Sequence, residues 1–411
     1  MPKILAFTGL PLLILLIWHC KDSQLESDYF NPSVLATHYN GEGFVGSATC
    51  LECHAEIYDT HIQTAHFNTS ALPTEQSIKG SFDAGSNILE LKEAELTMVS
   101  EQGAFYQHAR SKFRNDKEAR SKFDLVIGSG VKGQSYLTWE TDTLYQLQVS
   151  YYTPTNSWIN SPNFPEYMTK RPVNDACLKC HVTFAENKEP TGGSNQYMKE
   201  HLVLGVDCER CHGPAQKHVL HHRNNPKDST VGYMLNLKNL SRQKRLDICV
   251  QCHSGLRARQ IKGNPFSFVA GEDLETYSQN FYTGRPENEL DVHGNQYGLL
   301  KSSMCFQQSL TMDCTTCHDP HTNQRGNTNT FNRKCIGCHG AAQLTCKLDA
   351  SETAKMGNNC IACHMPLSPS KSMQVKVDKE GMAIPVYIRS HLIAIYDSLP
   401  QKADRSDAGN D

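Results

Sequence analysis

The sequence predicts a mainly α chain with extensive irregular loops and one small β-hairpin-rich insertion. Three observations predict it. The motif C-x-x-C-H occurs seven times in 411 residues. The hydrophobic fraction, 38%, is low for this length, and side chains alone would struggle to fill a large core. Apolar and polar residues alternate, as in strands, chiefly between the first two motifs.

The motifs are Cys50-Cys53-His54, Cys177-Cys180-His181, Cys208-Cys211-His212, Cys249-Cys252-His253, Cys314-Cys317-His318, Cys335-Cys338-His339 and Cys360-Cys363-His364. Two thiols three residues apart reach the two vinyl groups of one porphyrin edge. The histidine directly after the second thiol then lies under the ring and binds its iron. The expected cofactors are therefore seven covalently bound haem c groups. The fourteen cysteines are the thioether donors and the seven histidines the proximal iron ligands. Zinc sites would pair C-x-x-C units with no obligatory following histidine, and a disulfide framework would scatter its cysteines. One haem per roughly 60 residues makes these large apolar plates the dominant core material, so the fold is expected to be organised around stacked haems.

Of 19 histidines, seven are proximal and His19 lies in the leader, which leaves eleven. Seven irons with two histidines each would use most of them. Pro320 breaks any helix between His318 and His321, so His321 swings away from its own haem towards a neighbour. Gly213 and Pro214 do the same for His218. His66 closes a predicted helix running on from Cys50 and points away from His54, whereas His61 shares the face of His54. His201 precedes the third motif, His293 sits in D-V-H-G-N, and His391 in I-R-S-H-L-I. The expected distal ligands are His66, His201, His218, His293, His321 and His391. The seventh stays open among His38, His61, His108, His221 and His222, the last two lying in a polar run that favours solvation.

The first motif stands alone. A haem-free β-rich segment is expected at about 80–170, within a multihaem domain spanning 46–400. Asn87 to Ser100, Ser135 to Glu140 and Leu144 to Tyr152 alternate as strands, with a short turn at Thr141 to Thr143. G-S-G-V-K-G at 128–133 precedes a strand and reads as a turn, not a dinucleotide fingerprint. Between the later motifs the sequence suggests short helices, loops rich in Asn, Gly and Pro, and little strand. No fixed period relates the motifs, which excludes a solenoid. The polar tail 401–411 is expected to be disordered.

Residues 1–19 read as a signal peptide, with Lys3 before the apolar run Ile4 to Trp18, too short to span a membrane comfortably. Cys20 follows, as in a bacterial lipoprotein, with 20–45 as a tether; Ile17, Trp18 and His19 depart from a strict small-residue lipobox, and an ordinary cleaved leader is the alternative. Export is expected either way, to the periplasmic or cell-surface side of a bacterial membrane, with a lipid anchor holding the chain on the membrane surface. Cys305 and Cys346 remain, and an oxidising compartment makes their disulfide the default over two free thiols. A net charge of −3 gives no sign of nucleic-acid binding.

G-S-A-T-C-L-E-C-H followed by His66 resembles the opening of the nitrifier-type tetrahaem cytochrome c family. G-V-D-C-E-R-C-H-G-P followed by His218 resembles a motif of the hydroxylamine oxidoreductase and pentahaem nitrite reductase superfamily. The resemblance implies close-packed haem pairs, mostly bis-histidine ligation, and electron transfer between redox protein partners. The chain lacks the C-x-x-C-K motif of the nitrite reductases, and has seven motifs where hydroxylamine oxidoreductases have eight haems. No catalytic residue carries over. The alternative to an electron carrier is an oxidoreductase in which one open haem reduces or oxidises a small nitrogen species; the haem of His54, isolated in sequence, is the first place to look.

Overall fold

The computed structural model of the chain describes residues 36–113, 118–255, 258–280, 290–340, 359–377 and 382–396. Cys20, Cys346, the leader and the tail lie outside them. The expected mainly α class is wrong. The described residues form sixteen strands, with every ladder antiparallel, and nine α-helices. The longest helix has 15 residues, and five have six or fewer.

The reason is local. A C-x-x-C-H motif fixes about one helical turn, and breakers soon follow it. The helix Cys208–His212, for example, ends at Gly213, whose φ of 84° is the left-handed conformation that glycine tolerates. Short runs such as V-T-F-A-E-N and Y-M-K-E-H-L-V-L are too brief for their period to exclude strand. They form the hairpin β11 (Val182–Asn187) and β12 (Tyr197–Leu204). A further hairpin, β15 (Leu367–Val375) and β16 (Ile384–Arg389), follows the last motif. Strand is therefore not confined to an insertion between the first two motifs.

Two sheets pack face to face. One has four strands: β2 (Ile88–Glu90), β3 (Ala94–Glu101), β4 (Ala104–Ser111) and β5 (Glu118–Lys122), in chain order. Strands β3 and β4 alternate buried and exposed residues and turn at Gln102-Gly103, both at positive φ, as a two-residue hairpin loop requires. The second sheet has six strands and is built around β6 (Leu125–Ile127), β7 (Gly133–Glu140) and β8 (Thr143–Tyr152). Leu96, Met98 and Phe105 of the first sheet meet Tyr136, Leu147 and Val149 of the second in a core of fourteen buried residues. A second core of fifteen buried residues joins Leu125, Leu137 and Leu144 to Phe184, Leu202 and Leu204 of the β11–β12 hairpin, and takes in Leu178 of the second motif. The β scaffold thus grips that motif directly.

Beyond residue 240 the peptide core thins. Among the described residues the main cluster there has six buried residues, Leu246, Val250, Phe268, Leu274, Tyr277 and Phe306, although four of the seven motifs lie in that part. Among the described residues no helix is long and apolar enough to cross a membrane.

Glu209, inside the third motif, ties it to the first. Its buried carboxylate accepts the backbone N–H groups of Val45 (3.0 Å), Gly46 (2.9 Å) and Ala215 (2.8 Å). Burial pushes Glu209 up to about 7 against the pull of those donors. This lies above the 4.5 of a free glutamate, so the folded chain binds that proton more tightly, and stability falls as pH rises from 4.5 to about 7. Glu209→Ala should cost about 3 kcal/mol by stranding buried N–H donors, and should flatten that pH slope. Thermal unfolding at pH 5, 6 and 7 measures both.

Candidate haem-binding sites

Helices place most of the motif histidines. Motif 1 lies in the helix Ser47–His61, which kinks at His54 (φ −119°, ψ 39°) and so turns His61 off the face expected for it. Motif 3 is itself the helix Cys208–His212. Motifs 4 and 6 close the helices Arg242–His253 and Thr328–His339. Motif 5 begins on a single 3₁₀ turn, Cys314–Thr316, capped by the Asp313 side chain. Motif 7 is the helix Cys360–His364. In motif 2, Cys180 and His181 follow the short helix Asp175–Leu178.

Four of these histidines face a second imidazole. The ring centroids of His54 and His218 are 6.5 Å apart and 18° from parallel. Those of His212 and His321 are 6.2 Å apart at 16°. Those of His318 and His391 are 6.2 Å apart at 28°. His253 and His66 are 6.1 Å apart but nearly perpendicular, at 78°. The spacing has a chemical meaning. Two imidazoles sharing one metal, each nitrogen roughly 2 Å from it, hold their centroids about 6 Å apart. Directly stacked rings would sit closer, and hydrogen-bonded ones would meet edge to edge.

The second ring nitrogen is also arranged. His218 donates Nδ1–H to the carbonyl of Gly232 (2.8 Å), and His364 does so to Ala394 (2.8 Å). His181 Nδ1 bonds Thr69 Oγ1 at 2.9 Å, and His253 Nδ1 reaches Gln296 Oε1 at 3.3 Å. A bond at Nδ1 to a carbonyl fixes the tautomer and frees the Nε2 lone pair for iron. Burial first, and neighbouring imidazoles second, lower His66 and His212 to about 4. Burial and the nearby His318 do the same for His391. Neutral imidazole is the form that binds a metal. The chain's own groups therefore fit haem at these positions. Among the described residues no group of three or more His, Cys, Asp or Glu is gathered as a bare metal site would need.

The other expected ligands fare differently. His293 is half-buried, its buried Nδ1 has no hydrogen-bond partner, and it lies within electrostatic range of His181. His201, on β12, bonds the Glu186 carboxylate across its hairpin and belongs to none of the ring pairs above. The partners at Nδ1 left no sequence signal: Thr69 ends a single 3₁₀ turn and Gln296 opens a short helix, and Gly232 and Ala394 act through backbone oxygens.

Motif thiols come near one another across the chain. Cys50 hydrogen-bonds with Cys208, Cys180 with Cys252, and Cys249 with Cys314. Cys211 lies within electrostatic range of Cys252, Cys317 of Cys338, and Cys335 of Cys360. These pairs set motif 1 near 3 and motif 3 near 4, and 4, 5, 6 and 7 follow in line. Motif 2 branches from motif 4. Cys305, half-buried, lies near Cys317 and Cys335; its expected partner Cys346 is outside the described residues.

A sequence profile of the family "Cytochrome c554 and c-prime" matches residues 152–213, which hold motifs 2 and 3. The multihaem cytochrome MtrA of Shewanella baltica is 26% identical over 179 residues, 40% of this chain and 52% of that one. The chain is thus similar to multihaem c-type cytochromes. It spans about half the length of that curated relative. The outer cell wall cytochrome OcwA superposes on 85% of this chain and 79% of its own, with a TM-score of 0.53 at 16% identity, a likeness of fold. The undecahaem S-layer cytochrome of Carboxydothermus ferrireducens gives 0.36 at 16% identity, over 79% of this chain and 51% of its own.

The ring angles make a spectroscopic prediction. Near-parallel imidazoles split the iron dπ orbitals widely and give ordinary rhombic low-spin signals, whereas perpendicular rings leave the orbitals almost degenerate and give a strongly anisotropic one. The oxidised cytochrome should show both kinds in electron paramagnetic resonance. His66→Ala should remove the strongly anisotropic signal and leave the rhombic ones. Retention of that signal would refute the His66–His253 pair.

Proposed function

We propose that this cytochrome carries electrons along a chain of seven covalently bound haem c groups, most of them with two histidine ligands. The carrying observation is the series of neighbouring thiol pairs, hydrogen-bonded or within electrostatic range, that runs from motif 1 to motif 7. Haems attached at these thiols would bring their edges near one another, and close edges are what electron tunnelling between haems requires. The haem supplies the one-electron couple. The protein supplies axial ligands, burial and nearby charge, which tune it. His54, His181, His212, His253, His318, His339 and His364 are the proximal ligands in this reading. His218, His321, His66 and His391 are the distal ligands of the first, third, fourth and fifth haems, and His293 is that of the second.

The relay branches at the fourth haem, which adjoins the second, third and fifth. A branched relay offers more than two ends at which redox proteins can dock. The motif similarities support kinship with the nitrifier tetrahaem cytochromes and the hydroxylamine oxidoreductase superfamily. The leader and Cys20 support export as a lipoprotein on the outer side of a bacterial membrane, with the domain 46–400 beyond a short tether. Redox proteins on that side are the donors and acceptors this reading requires.

Rapid reduction with less than one electron per chain tests the relay. If the haems are wired together, the electron redistributes among them at a rate independent of protein concentration. If they are isolated, redistribution needs collisions and scales with concentration, and the proposal fails.

A further inference from the structure

We infer that Thr69 is a positioning residue for the second haem: its hydroxyl holds the proximal imidazole of His181 in place and sets how strongly that ring donates to iron. The inference rests on the haem reading above, in which His181 binds iron through Nε2. Nδ1 of that ring then carries the proton, and it donates to Thr69 Oγ1 at 2.9 Å. Of the four Nδ1 bonds described above, three end on amide oxygens, those of Gly232, Ala394 and Gln296, and this one ends on a hydroxyl. A hydroxyl oxygen accepts less strongly than an amide oxygen. The stronger the acceptor, the more imidazolate character the ring takes on, the better it donates, and the more it favours ferric iron. The partner at Nδ1 therefore sets a potential.

The hydroxyl is held from both sides. Thr69 closes the 3₁₀ turn Phe67–Thr69, and the strand β1 (Ser70–Ala71) that follows pairs with Ile127 and Val126 of β6 at the edge of the six-stranded sheet. The backbone carbonyl of Thr69 accepts the N–H of Gly128 at 2.7 Å. Ser70, buried, donates its hydroxyl to the backbone carbonyl of His181 at 2.7 Å and accepts the N–H of Gly205 at 2.8 Å. His181 is thus held at its ring by Thr69 and at its backbone by Ser70, and a group held on a sheet edge is placed more precisely than one on a free loop. Gly205 has a φ of 67°, and a Cβ there would stand 2.4 Å from the Phe67 carbonyl oxygen, so the segment lies directly on the turn before motif 3. The same segment begins with His66, whose ring pairs with that of His253 and whose carbonyl accepts the N–H of Val206 at 2.9 Å. Residues 66–70 therefore carry both the distal ring of the fourth haem and the hydrogen-bond partner of the second, whose motif thiols Cys180 and Cys252 are hydrogen-bonded. Thr69 sits at the branch of the relay and tunes its side arm.

The test uses the whole mature protein and three variants at Thr69. Intact mass counts the haems first, and fewer than seven in the wild type would overturn the haem reading and this inference with it. With seven present, a redox titration followed by electron paramagnetic resonance separates the haems. Thr69→Val keeps the shape of the side chain and removes the acceptor. It should raise the reduction equilibrium constant of one haem about tenfold, an upward shift of about 59 mV for a one-electron couple. Thr69→Ser should restore the wild-type value. Thr69→Asn, which offers an amide oxygen, should move the same haem downward. The strongly anisotropic signal of the His66–His253 pair should keep its shape in all three, because a segment that is merely disturbed would alter both haems. Should Thr69→Val not fold with seven haems, the direction of the Asn shift relative to Ser decides. Seven haems with none displaced, or Val and Asn displacing one in the same direction, would overturn this inference alone, as would loss of the anisotropic signal along with the shift.

Discussion

The structure depends on four imidazole pairs, each with ring centroids about 6 Å apart, the spacing of two neutral rings that share one metal. One ring of each pair comes from a motif. The other comes from a distant segment, and this gives the chain its long-range order. His54 is matched by His218, beyond the third motif, and His212 by His321, beyond the fifth. His253 reaches back to His66 near the start, and His318 forward to His391 near the end. Four such clasps join the first motif, the middle motifs and the last described segment, even where apolar contacts are few. The buried Glu209 supports the same arrangement by fixing motif 3 to the loop before motif 1.

Two kinds of core follow. Residues 88–204 carry their own, with aromatic and branched side chains between two sheets and beneath the β11–β12 hairpin. That part satisfies the usual accounting, in which buried apolar area offsets chain entropy. The part from 242 onward does not, since among its described residues the buried cluster is small and the helices run at most twelve residues. Isolated helices of that length are marginal in water. Covalent haem and its axial ligands are the additional contacts that would order them. The sheets then act as a rigid flank that grips the second motif at Leu178.

What the sequence reveals tracks how local the cause is. C-x-x-C-H is legible because the spacing is set by one porphyrin edge. The strands near Leu96, Leu137 and Leu147 are legible because apolar and polar residue types alternate along them. Class was misread where neither signal operates. Val182–Asn187 is buried at nearly every position, so it carries no alternation, and Leu367–Val375 contains Pro369 and several polar residues yet pairs with Ile384–Arg389. Ligand pairing is the least legible. His321 and His218 are freed by Pro320 and Pro214, but no spacing rule says that one meets His212 and the other His54. Local chemistry ranks His201 with them, and only the hairpin that brings Glu186 beside it sets it apart.

The central claim is that haem, not peptide, is the core of the chain from residue 242 onward. Amide hydrogen exchange on the chain made without haem, compared with the mature cytochrome, tests it most directly. The account predicts that β3, β4, β7 and β8 keep slow exchange without haem, while Arg242–His253, Thr328–His339 and Cys360–His364 become fast. Equal protection of those three helices with and without haem would contradict it.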